Sequence, residues 1–280
     1  MKAKDFRSQL EPVWCTGCGD YGVLKGLTQA LADLEIPPER LAVISGIGCS
    51  SRLPGYTRSY AFNSIHGRAL PIATGLKLSR PEITTLVVGG DGDGFSIGLG
   101  HLPHAIRRNV DITYVVLDNG IYGLTKGQSS PTTEIDFKRV RGLAGPDERP
   151  LNPVLLVLSS GCGFVARSHA GMLPHLRQTI RDAVRYPGFS FVHVLAGCVT
   201  YQTPGYAQEI YERCDVVAPE HDPSSFAAAV EAACAERFRL GILYRRDPAD
   251  GPIDASAAPG LAGIWQPRPA RVSEDAAHEE

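Results

Sequence analysis

Two short apolar runs, each ending in glycine or in polar turn residues, most constrain what this chain can fold into. Ile83–Val88 is rich in β-branched residues and leads into Gly-Gly-Asp-Gly-Asp, and Ile112–Leu117 leads into Asp-Asn-Gly. Such runs are typical of buried parallel strands, and glycine at a strand end lets the backbone approach a ligand closely. Between them, Phe95–Arg108 has helical length and an amphipathic pattern despite Pro103. We therefore expect a strand, loop, helix, strand unit with a right-handed crossover.

The rest of the chain repeats this alternation, which predicts an α/β fold: a doubly wound, mostly parallel sheet with helices on both faces. Further strands are predicted at Leu41–Gly48, Phe189–Leu195 and Leu240–Tyr244, and helices at Tyr21–Leu34, Ala69–Leu78 and Ser224–Phe238. The polar, Pro- and Gly-bearing stretch Ser129–Pro150 is predicted to be a loop. We expect one domain, residues 1–246, followed by an extended C-terminal arm, 247–280, in which proline, glycine, alanine and charged residues predominate.

Composition excludes several classes of protein. The 280 residues are 43% hydrophobic, with a formal net charge of −2, which predicts a soluble protein with an ample core. The basic residues are scattered and nearly balanced by acids, so nucleic-acid binding is not expected. The polar first twelve residues do not read as a signal peptide, and no apolar run is long enough to span a membrane. We therefore expect a cytoplasmic protein whose seven cysteines are thiols or metal ligands.

The two strand ends carry oxygen ligands suited to magnesium. Asp91 and Asn119 are 28 positions apart in sequence, yet both follow strands whose carboxyl ends meet at one edge of the predicted sheet. Mg²⁺ takes a few hard oxygens from protein and completes its octahedron with phosphate and water. A nicotinamide motif would need a third glycine where Phe95 or Ile97 stands, and an EF-hand would need an oxygen ligand at Phe95. Ordinary turn chemistry remains the alternative.

Four cysteines lie at or near predicted element ends. Cys15 and Cys18 form a Cys-x-x-Cys before the first helix, with Asp20 as its expected N-cap, and Cys49 and Cys198 each follow a strand. This spacing does not fit a zinc ribbon, and a thioredoxin-like motif would need a strand before the pair. A cubane iron–sulfur cluster tolerates long gaps between its ligands. Cys49 and Cys198 could equally be ordinary buried cysteines, and the remaining cysteines, Cys162, Cys214 and Cys234, are read that way.

Six motifs occur in one order along the chain and together resemble the β subunit of a 2-oxoacid:ferredoxin oxidoreductase, over roughly residues 10–245. They are Trp-Cys-x-Gly-Cys-Gly, Gly-Ile-Gly-Cys-Ser, His-Gly-Arg-Ala, Gly-Gly-Asp-Gly-Asp, Tyr-Gly-Leu-Thr-Lys-Gly-Gln and Cys-Val-Thr-Tyr. The pair Gly-Asp-Gly and Asp118-Asn119 is similar to the thiamine diphosphate motif, which usually ends in Asn-Asn. Asp118 departs from that pattern, whereas the metal-binding second Asn is present.

The resemblance implies a thiamine diphosphate-binding fold with three cofactors. Cys15, Cys18, Cys49 and Cys198 would hold one [4Fe-4S] cluster, and Asp91, Asn119 and the carbonyl of Ile121 would hold Mg²⁺. Thiamine diphosphate would be contacted by the set Ile47, Gly48, Cys49, Ser50, His66, Gly90, Gly92, Asp93, Gly123 and Leu124. His66 precedes a helix whose N-terminal dipole favours an anion, although a lone histidine there is commonly a capping or solvated residue.

The resemblance also implies the activity: coenzyme A-dependent oxidative decarboxylation of a 2-oxoacid, with electrons passing through the cluster to ferredoxin. The Glu that activates thiamine would come from an α subunit, because this chain has no room for a second cofactor domain, and an (αβ)2 assembly is expected. His66, Arg52 and Lys126 are the candidate catalytic residues. The last two could attract a second carboxylate, which favours 2-oxoglutarate over pyruvate or branched-chain 2-oxoacids. The rivals are a non-catalytic metal- and nucleotide-binding protein and a thiamine decarboxylase or carboligase without redox function.

Overall fold

The computed structural model describes residues 1–134 and 148–247. Its strands are β1 Leu41–Ser45, β2 Tyr60–Asn63, β3 Thr84–Gly90, β4 Thr113–Asp118, β5 Ile121–Tyr122, β6 Gln128–Ser129, β7 Phe164–His169, β8 Ser190–Leu195, β9 Cys214–Val216 and β10 Phe238–Arg245. The α-helices are α1 Asp20–Leu34, α2 Ala69–Ser79, α3 Asp91–Phe95, α4 Leu102–Arg107, α5 Pro153–Ser159, α6 Leu173–Arg185, α7 Tyr206–Glu212 and α8 Phe226–Cys234.

Eight of the strands form one sheet, in the order β2-β1-β3-β4-β8-β7-β10-β9. All neighbouring strands are parallel except β10 and β7, and β5 and β6 form a separate antiparallel hairpin. The carboxyl ends of β1, β3, β4 and β8 therefore open on the same edge. The prediction of a doubly wound, mostly parallel sheet is confirmed.

The sheet separates two hydrophobic cores. On one face, side chains of α1 and α6 such as Leu27 and Ile180 pack against Val88 and Val115. On the other, α2, α4, α5 and α8 cover a layer that includes Val87, Tyr114 and Phe191. The central strands β1, β4, β7 and β8 are buried along their whole length, because each is covered on both faces. This burial explains the apolar runs of β1 and β4, whereas β7 and β8 also bury polar side chains, among them Arg167 and His193.

The predicted helix Phe95–Arg108 is wrong. The segment is divided into the end of α3, a 3-10 turn at Ile97–His101 and the short helix α4. The reason is a close approach at Gly98, where a Cβ would overlap the carbonyl oxygen of Asp93 and would lie 3.1 Å from Gly67. The chain is thus folded back against Gly67, and Pro103 then stands in the first turn of α4, where its missing N–H is tolerated.

Two other local predictions need correction. Asp20 is not an N-cap: Gly19 occupies that position, and Asp20 begins α1 with its side chain buried. Helix α8 is shorter than the predicted Ser224–Phe238, because Ser225 caps it, accepting from the Ala228 N–H at 3.2 Å, and Phe238 already belongs to β10.

Parts of the sequence predictions fall outside the described chain. The predicted loop Ser129–Pro150 begins in β6, and its residues 135–147 are not described. The predicted arm 247–280 likewise lies beyond the described residues except for Asp247. No helix in the described ranges is both long and apolar enough to cross a membrane.

Candidate functional site

A cavity of about 340 Å³ opens at the carboxyl edge of the sheet. Its walls come from the loops after β1, β3 and β4, together with His66, so the edge predicted from sequence is where they meet. The lining residues are Ile47, Gly48, Cys49, Ser50, His66, Gly90, Asp91, Gly92, Asp93, Asn119, Ile121, Tyr122, Gly123, Leu124 and Thr125. The structure thus brings together all ten residues predicted to contact thiamine diphosphate and all three predicted magnesium ligands.

Asp93, which follows β3, holds the loop after β1 and the loop that carries His66. Its Oδ1 accepts hydrogen bonds from the backbone N–H groups of Ile47 at 2.9 Å and Gly67 at 2.8 Å. Burial raises the pKa of Asp93, and these hydrogen bonds oppose the rise. A Cβ on Gly46 would overlap the Asp93 carboxylate, so glycine is required there. The Asp93 side chain therefore fixes the shape of the cavity in addition to lining it.

Asp91 and Asp118 share a single hydroxyl group. Thr132 Oγ1 lies 2.9 Å from Asp91 Oδ2 and 2.8 Å from Asp118 Oδ1. A hydroxyl has one hydrogen to donate, so one of the two acids must carry the second proton. Burial, and then the nearby Asp118 carboxylate, raises the pKa of Asp91 to about 8. Burial also raises the pKa of Asp118, but the interaction with His193 and the hydrogen bonds from Thr132 and Gly120 together outweigh it and hold that pKa below its usual value. Asp91 is therefore the protonated partner in the metal-free chain.

This arrangement fits a divalent cation. Asp91 is fully enclosed beside a second acid, so a cation at its cavity side would offset two buried negative charges. Asn119 begins a tight turn in which its Oδ1 accepts from the Ile121 N–H at 3.0 Å, and its own N–H lies 3.4 Å from Asp91 Oδ1. A carboxylate, an amide oxygen and a carbonyl oxygen are the donors that Mg²⁺ prefers.

The four predicted cluster cysteines lie close to one another beside this cavity. The Cys18 N–H donates to the Cys15 carbonyl at 3.0 Å, which closes the Cys-x-x-Cys turn, and Trp14 Nε1 donates to the Cys49 carbonyl at 2.7 Å. A Cβ on Gly19 would lie 3.0 Å from Ala196, so this glycine lets the start of α1 approach the chain just before Cys198. Within residues 1–134 and 148–247, however, no group of three or more His, Cys, Asp or Glu is arranged to hold a single metal ion.

Burial raises the pKa of two of these thiols and of the acid beside them, Asp20. Burial, and next the charge of Asp20, raise the pKa of Cys18 well above its usual range and that of Cys49 to about 11. The other predicted thiols also act on this pair, Cys198 on both and Cys15 on Cys49. Burial raises the pKa of Asp20 itself to about 7, and its Oδ2 has no hydrogen-bond partner in the described part of the chain.

The three candidate catalytic residues are placed differently. His66 lines the cavity, and its ring centroid lies 6.0 Å from that of Tyr122. Arg52 and Lys126 are exposed and do not line it. Lys126 stands at a turn with a positive φ of 79°, and Arg52 follows Cys49 closely enough to lower its pKa slightly. Neither cation is part of the cavity wall.

Four further residues of the site were missed by the sequence reasoning. Tyr122 and Thr125 line the cavity, and Tyr122 Oη donates to the Gly92 carbonyl at 3.2 Å. Both lie in the Tyr-Gly-Leu-Thr-Lys-Gly-Gln motif, which could have indicated them. Thr132 and Gln202 act through hydrogen bonds to Asp91, Asn119 and Cys198. Gln202 directly follows the Cys-Val-Thr-Tyr motif, which could have indicated it, whereas Thr132 lies outside the motifs.

Fold and cavity together define a thiamine diphosphate-dependent enzyme. Residues 46–194 match the family described as thiamine pyrophosphate enzyme, C-terminal TPP binding domain. That range contains every residue that lines the cavity.

The chain belongs to the β subunits of the 2-oxoacid:ferredoxin oxidoreductases. It is 40% identical over 254 residues to subunit β of 2-oxoacid:ferredoxin oxidoreductase 2 of Aeropyrum pernix, a match that covers 86% of this chain and 82% of that one. It is 46% identical over 198 residues to 2-oxoglutarate oxidoreductase subunit KorB of Mycobacterium tuberculosis, covering 71% and 53% of the two chains. A solved structure, 2-oxoglutarate:ferredoxin oxidoreductase from Magnetococcus marinus with 2-oxoglutarate, coenzyme A and succinyl-CoA bound, matches with a TM-score of 0.84 and 41% identity, covering 88% of this chain and 86% of that one.

Proposed function

We propose that this chain is the β subunit of an enzyme that converts 2-oxoglutarate and coenzyme A to succinyl-CoA and carbon dioxide and passes the two electrons released through a [4Fe-4S] cluster to ferredoxin. One observation carries the redox part of the proposal. Cys49 lines the cofactor cavity and at the same time interacts electrostatically with Cys15, Cys18 and Cys198. A Cβ on Gly123, across the cavity wall, would lie 3.4 Å from the Cys49 sulfur. The two proposed cofactor sites thus share one residue.

In this proposal the cavity holds Mg²⁺ and thiamine diphosphate. When bound, thiamine diphosphate would supply a nucleophilic carbanion and an electron sink for the decarboxylation of a 2-oxoacid. Asp91, Asn119 and the Ile121 carbonyl would hold the metal, and the backbone of Ile47–Ser50 would receive the diphosphate. Asp93 keeps the loop of Ile47 and the loop of Gly67 in place while His66 closes the remaining side.

Cys15, Cys18, Cys49 and Cys198 would hold the cluster. A four-iron cluster spaces its thiolates more widely than a single ion does, so its ligands need not resemble a mononuclear metal site before assembly. Because burial holds the thiol pKa of Cys18 and Cys49 high, cluster assembly would release their protons. Seven free cysteines in one chain favour a reducing compartment, and we propose the cytoplasm.

An α subunit would cover the cavity. Apolar side chains at the cavity are exposed: Leu124 and Ile47, which line it, are 44% and 43% exposed, and Ile65, next to His66 in sequence, is 71% exposed. Exposed apolar side chains gathered around a cofactor cavity suit a protein partner better than water. That partner would supply the Glu that activates thiamine, and two such pairs would form an (αβ)2 assembly.

Substrate choice in this proposal rests on charge outside the cavity wall. Arg52 and Lys126 would meet the distal carboxylate of 2-oxoglutarate at the mouth of the site or through the α subunit. Similarity to relatives named for 2-oxoglutarate supports this choice over pyruvate and branched-chain 2-oxoacids.

The test is anaerobic co-purification of the chain with its α subunit, followed by counts of iron and thiamine per β chain and by dye-reduction assays. We expect about four irons and one thiamine diphosphate per chain, with turnover that requires both subunits and is faster with 2-oxoglutarate than with pyruvate. A complex that lacks iron or thiamine, or that turns over only pyruvate, would contradict the corresponding part of the proposal. The β chain alone should reduce no dye.

A further inference from the structure

A buried hydrogen-bonded chain of three side chains lies behind the cofactor cavity. Arg167 on β7, His193 on β8 and Asp118 at the end of β4 are 3%, 1% and 9% exposed. Arg167 is the register partner of His193, and His193 is the partner of Val116. Side chains two positions apart on a strand share a face, so Asp118 points to the same side of the sheet as the other two.

The hydrogen bonds determine where the charges are. Arg167 Nε lies 3.1 Å from His193 Nδ1, and an arginine nitrogen can only donate. His193 Nδ1 must therefore accept, which places the imidazole proton on Nε2. That nitrogen lies 2.8 Å from Asp118 Oδ2 and donates to it. His193 is thus a neutral bridge, and the positive charge that faces Asp118 belongs to Arg167.

Asp118 in turn shapes the turn that carries the proposed metal ligands. While Oδ2 is held by His193, Oδ1 accepts from the Gly120 N–H at 2.9 Å and from the Thr132 hydroxyl at 2.8 Å. Gly120 has a positive φ of 68°, so the turn follows a tightly defined path between Asn119 and Ile121. Rotation of the Asp118 carboxylate would release this turn.

The arrangement also accounts for the departure from Asn-Asn in this chain. A neutral Asn at position 118 would need no counter-charge, whereas Asp118 adds a buried negative charge next to Asp91. Burying a carboxylate is unfavourable unless it is paired and hydrogen-bonded. Arg167 provides the pairing from two strands away.

We propose that Arg167 is a positioning residue. Through His193 it supplies the counter-charge of Asp118, and so fixes the turn that presents Asn119 and the Ile121 carbonyl to the metal. The metal-binding part of this inference rests on the proposed function. The charge pairing does not, because the geometry of the chain alone defines it.

The charge pairing is tested by a double-mutant cycle on the full chain in the absence of cofactor. Arg167→Met leaves Asp118 without its counter-charge, and Asp118→Asn leaves Arg167 without its anion. We expect each single variant to melt roughly 10 °C lower than the parent, and the double variant to melt higher than either single one. Additive losses in the double variant would overturn the pairing.

Arg213→Met is the matched control. The guanidinium carbons of Arg167 and Arg213 lie 5.4 and 4.9 Å from the centroid of the same Phe238 ring, but Arg213 is ion-paired with Glu134 at 2.9 Å rather than bonded to His193. The fall in melting temperature caused by Arg213→Met should add to the fall caused by Asp118→Asn. The double variant of these two residues should therefore melt lower than either single variant. Rescue in this control as well would show a general effect of neutralising Asp118 and would overturn the assignment to Arg167.

The positioning role is tested by calorimetric titration of Mg²⁺ and thiamine diphosphate into the αβ complex after cofactor removal. We expect Arg167→Met to weaken binding by about tenfold or more, Asp118→Asn in the same chain to restore most of it, and Arg213→Met to change it little. Parent-like binding by Arg167→Met would overturn the positioning role. A parent complex that binds no thiamine diphosphate would overturn the proposed function and the positioning role together, and the melting cycle would still decide the charge pair.

Discussion

Gln202 Nε2 donates a hydrogen bond to the backbone carbonyl of Asn119 at 2.6 Å. The other atom of the same amide group, Oε1, accepts from the backbone N–H of Cys198, also at 2.6 Å. Gln202 is 2% exposed, so both hydrogen bonds are shielded from water. One buried side chain therefore connects the turn of the proposed metal site to the loop of the fourth proposed cluster ligand.

Replacing Gln202 should affect both sites at once. Gln202→Leu leaves the Asn119 carbonyl and the Cys198 N–H without their partner, which typically costs about 1–3 kcal/mol for each buried group. We expect a melting temperature lower by several degrees, weaker retention of thiamine diphosphate and a changed EPR spectrum of the reduced cluster. The control is Gln208→Leu, whose amide donates to the exposed Glu212, so this change should alter neither cofactor. A change confined to one cofactor would contradict the bridging role.

Asp91→Asn should stabilise the metal-free chain while abolishing its cofactor binding. The pKa of Asp91 is raised from its ordinary value of 3.8 to about 8, so the folded chain keeps a proton that the unfolded chain loses. The stability of the metal-free chain should therefore fall as the pH rises from about 4 to 8, and Asp20, raised to about 7, acts with the same sign. Asn mimics the protonated acid, so the variant should melt roughly 4 °C higher than the parent at pH 8.

The same titration predicts how metal binding depends on pH. Mg²⁺ must displace the proton of Asp91, so its affinity in the presence of thiamine diphosphate should rise by up to about tenfold per pH unit below the pKa of Asp91. Titrations of the αβ complex at several pH values measure this slope. An affinity that does not change between pH 6 and about 8 would argue against Asp91 as a ligand.

Gly46→Ala should destabilise the chain and distort the cavity. The added methyl group would overlap the Asp93 carboxylate, which holds the Ile47 and Gly67 N–H groups. Overpacking of this kind costs about 1–3 kcal/mol. Gly75→Ala is the control, because a Cβ there meets no atom within 4 Å and Gly75 lies inside α2, where alanine is favoured by about 0.5–1 kcal/mol. Relative to the parent, the melting temperature of Gly46→Ala should fall and that of Gly75→Ala should rise.

Cys198→Ala should lose the cluster even though Cys198 is far in sequence from the other three cysteines. A methyl group cannot replace a thiolate ligand, so iron content and visible absorbance should both fall. Cys214→Ala serves as the control, because the Cys214 thiol donates to the Ile210 carbonyl at 3.1 Å and is not one of the four proposed cluster ligands. If Cys198→Ala keeps the iron content of the parent, then Cys198 is an ordinary partly buried cysteine.

The central strands of the sheet could be predicted from the amino-acid composition of their own segments. Runs rich in apolar and β-branched residues identified β3, β4 and β8, because strands covered on both faces are mostly apolar. Their glycine and polar ends then gave the edge of the sheet where the cavity lies. The interruption at Gly98 could not be predicted, since it depends on Gly67, which is distant in sequence.

The residues of the candidate site also fall into two groups: those in contiguous motifs, which could be predicted, and those brought together only by the fold, which were not. Residues carried by contiguous motifs, such as Ile47–Ser50 and Gly90–Asp93, were predicted and lie around one cavity. Thr132, Gln202 and Arg167 were not, because each acts through a hydrogen bond to a residue brought near only by the fold. Asp20 was misread as a cap because its sequence position suits one, whereas its burial beside Cys18 is a tertiary effect.

Electron transfer from the cofactor cavity to a cluster bound by this chain is the central step of the proposed function. The direct measurement is EPR of the anaerobic αβ complex, frozen after addition of 2-oxoglutarate and coenzyme A without any other reductant. We predict the signal of a reduced [4Fe-4S] cluster, absent when thiamine diphosphate is removed and absent in Cys198→Ala. A complex that binds thiamine diphosphate and whose cluster is reduced by dithionite, yet stays oxidised with 2-oxoglutarate, pyruvate and branched-chain 2-oxoacids alike, would contradict it.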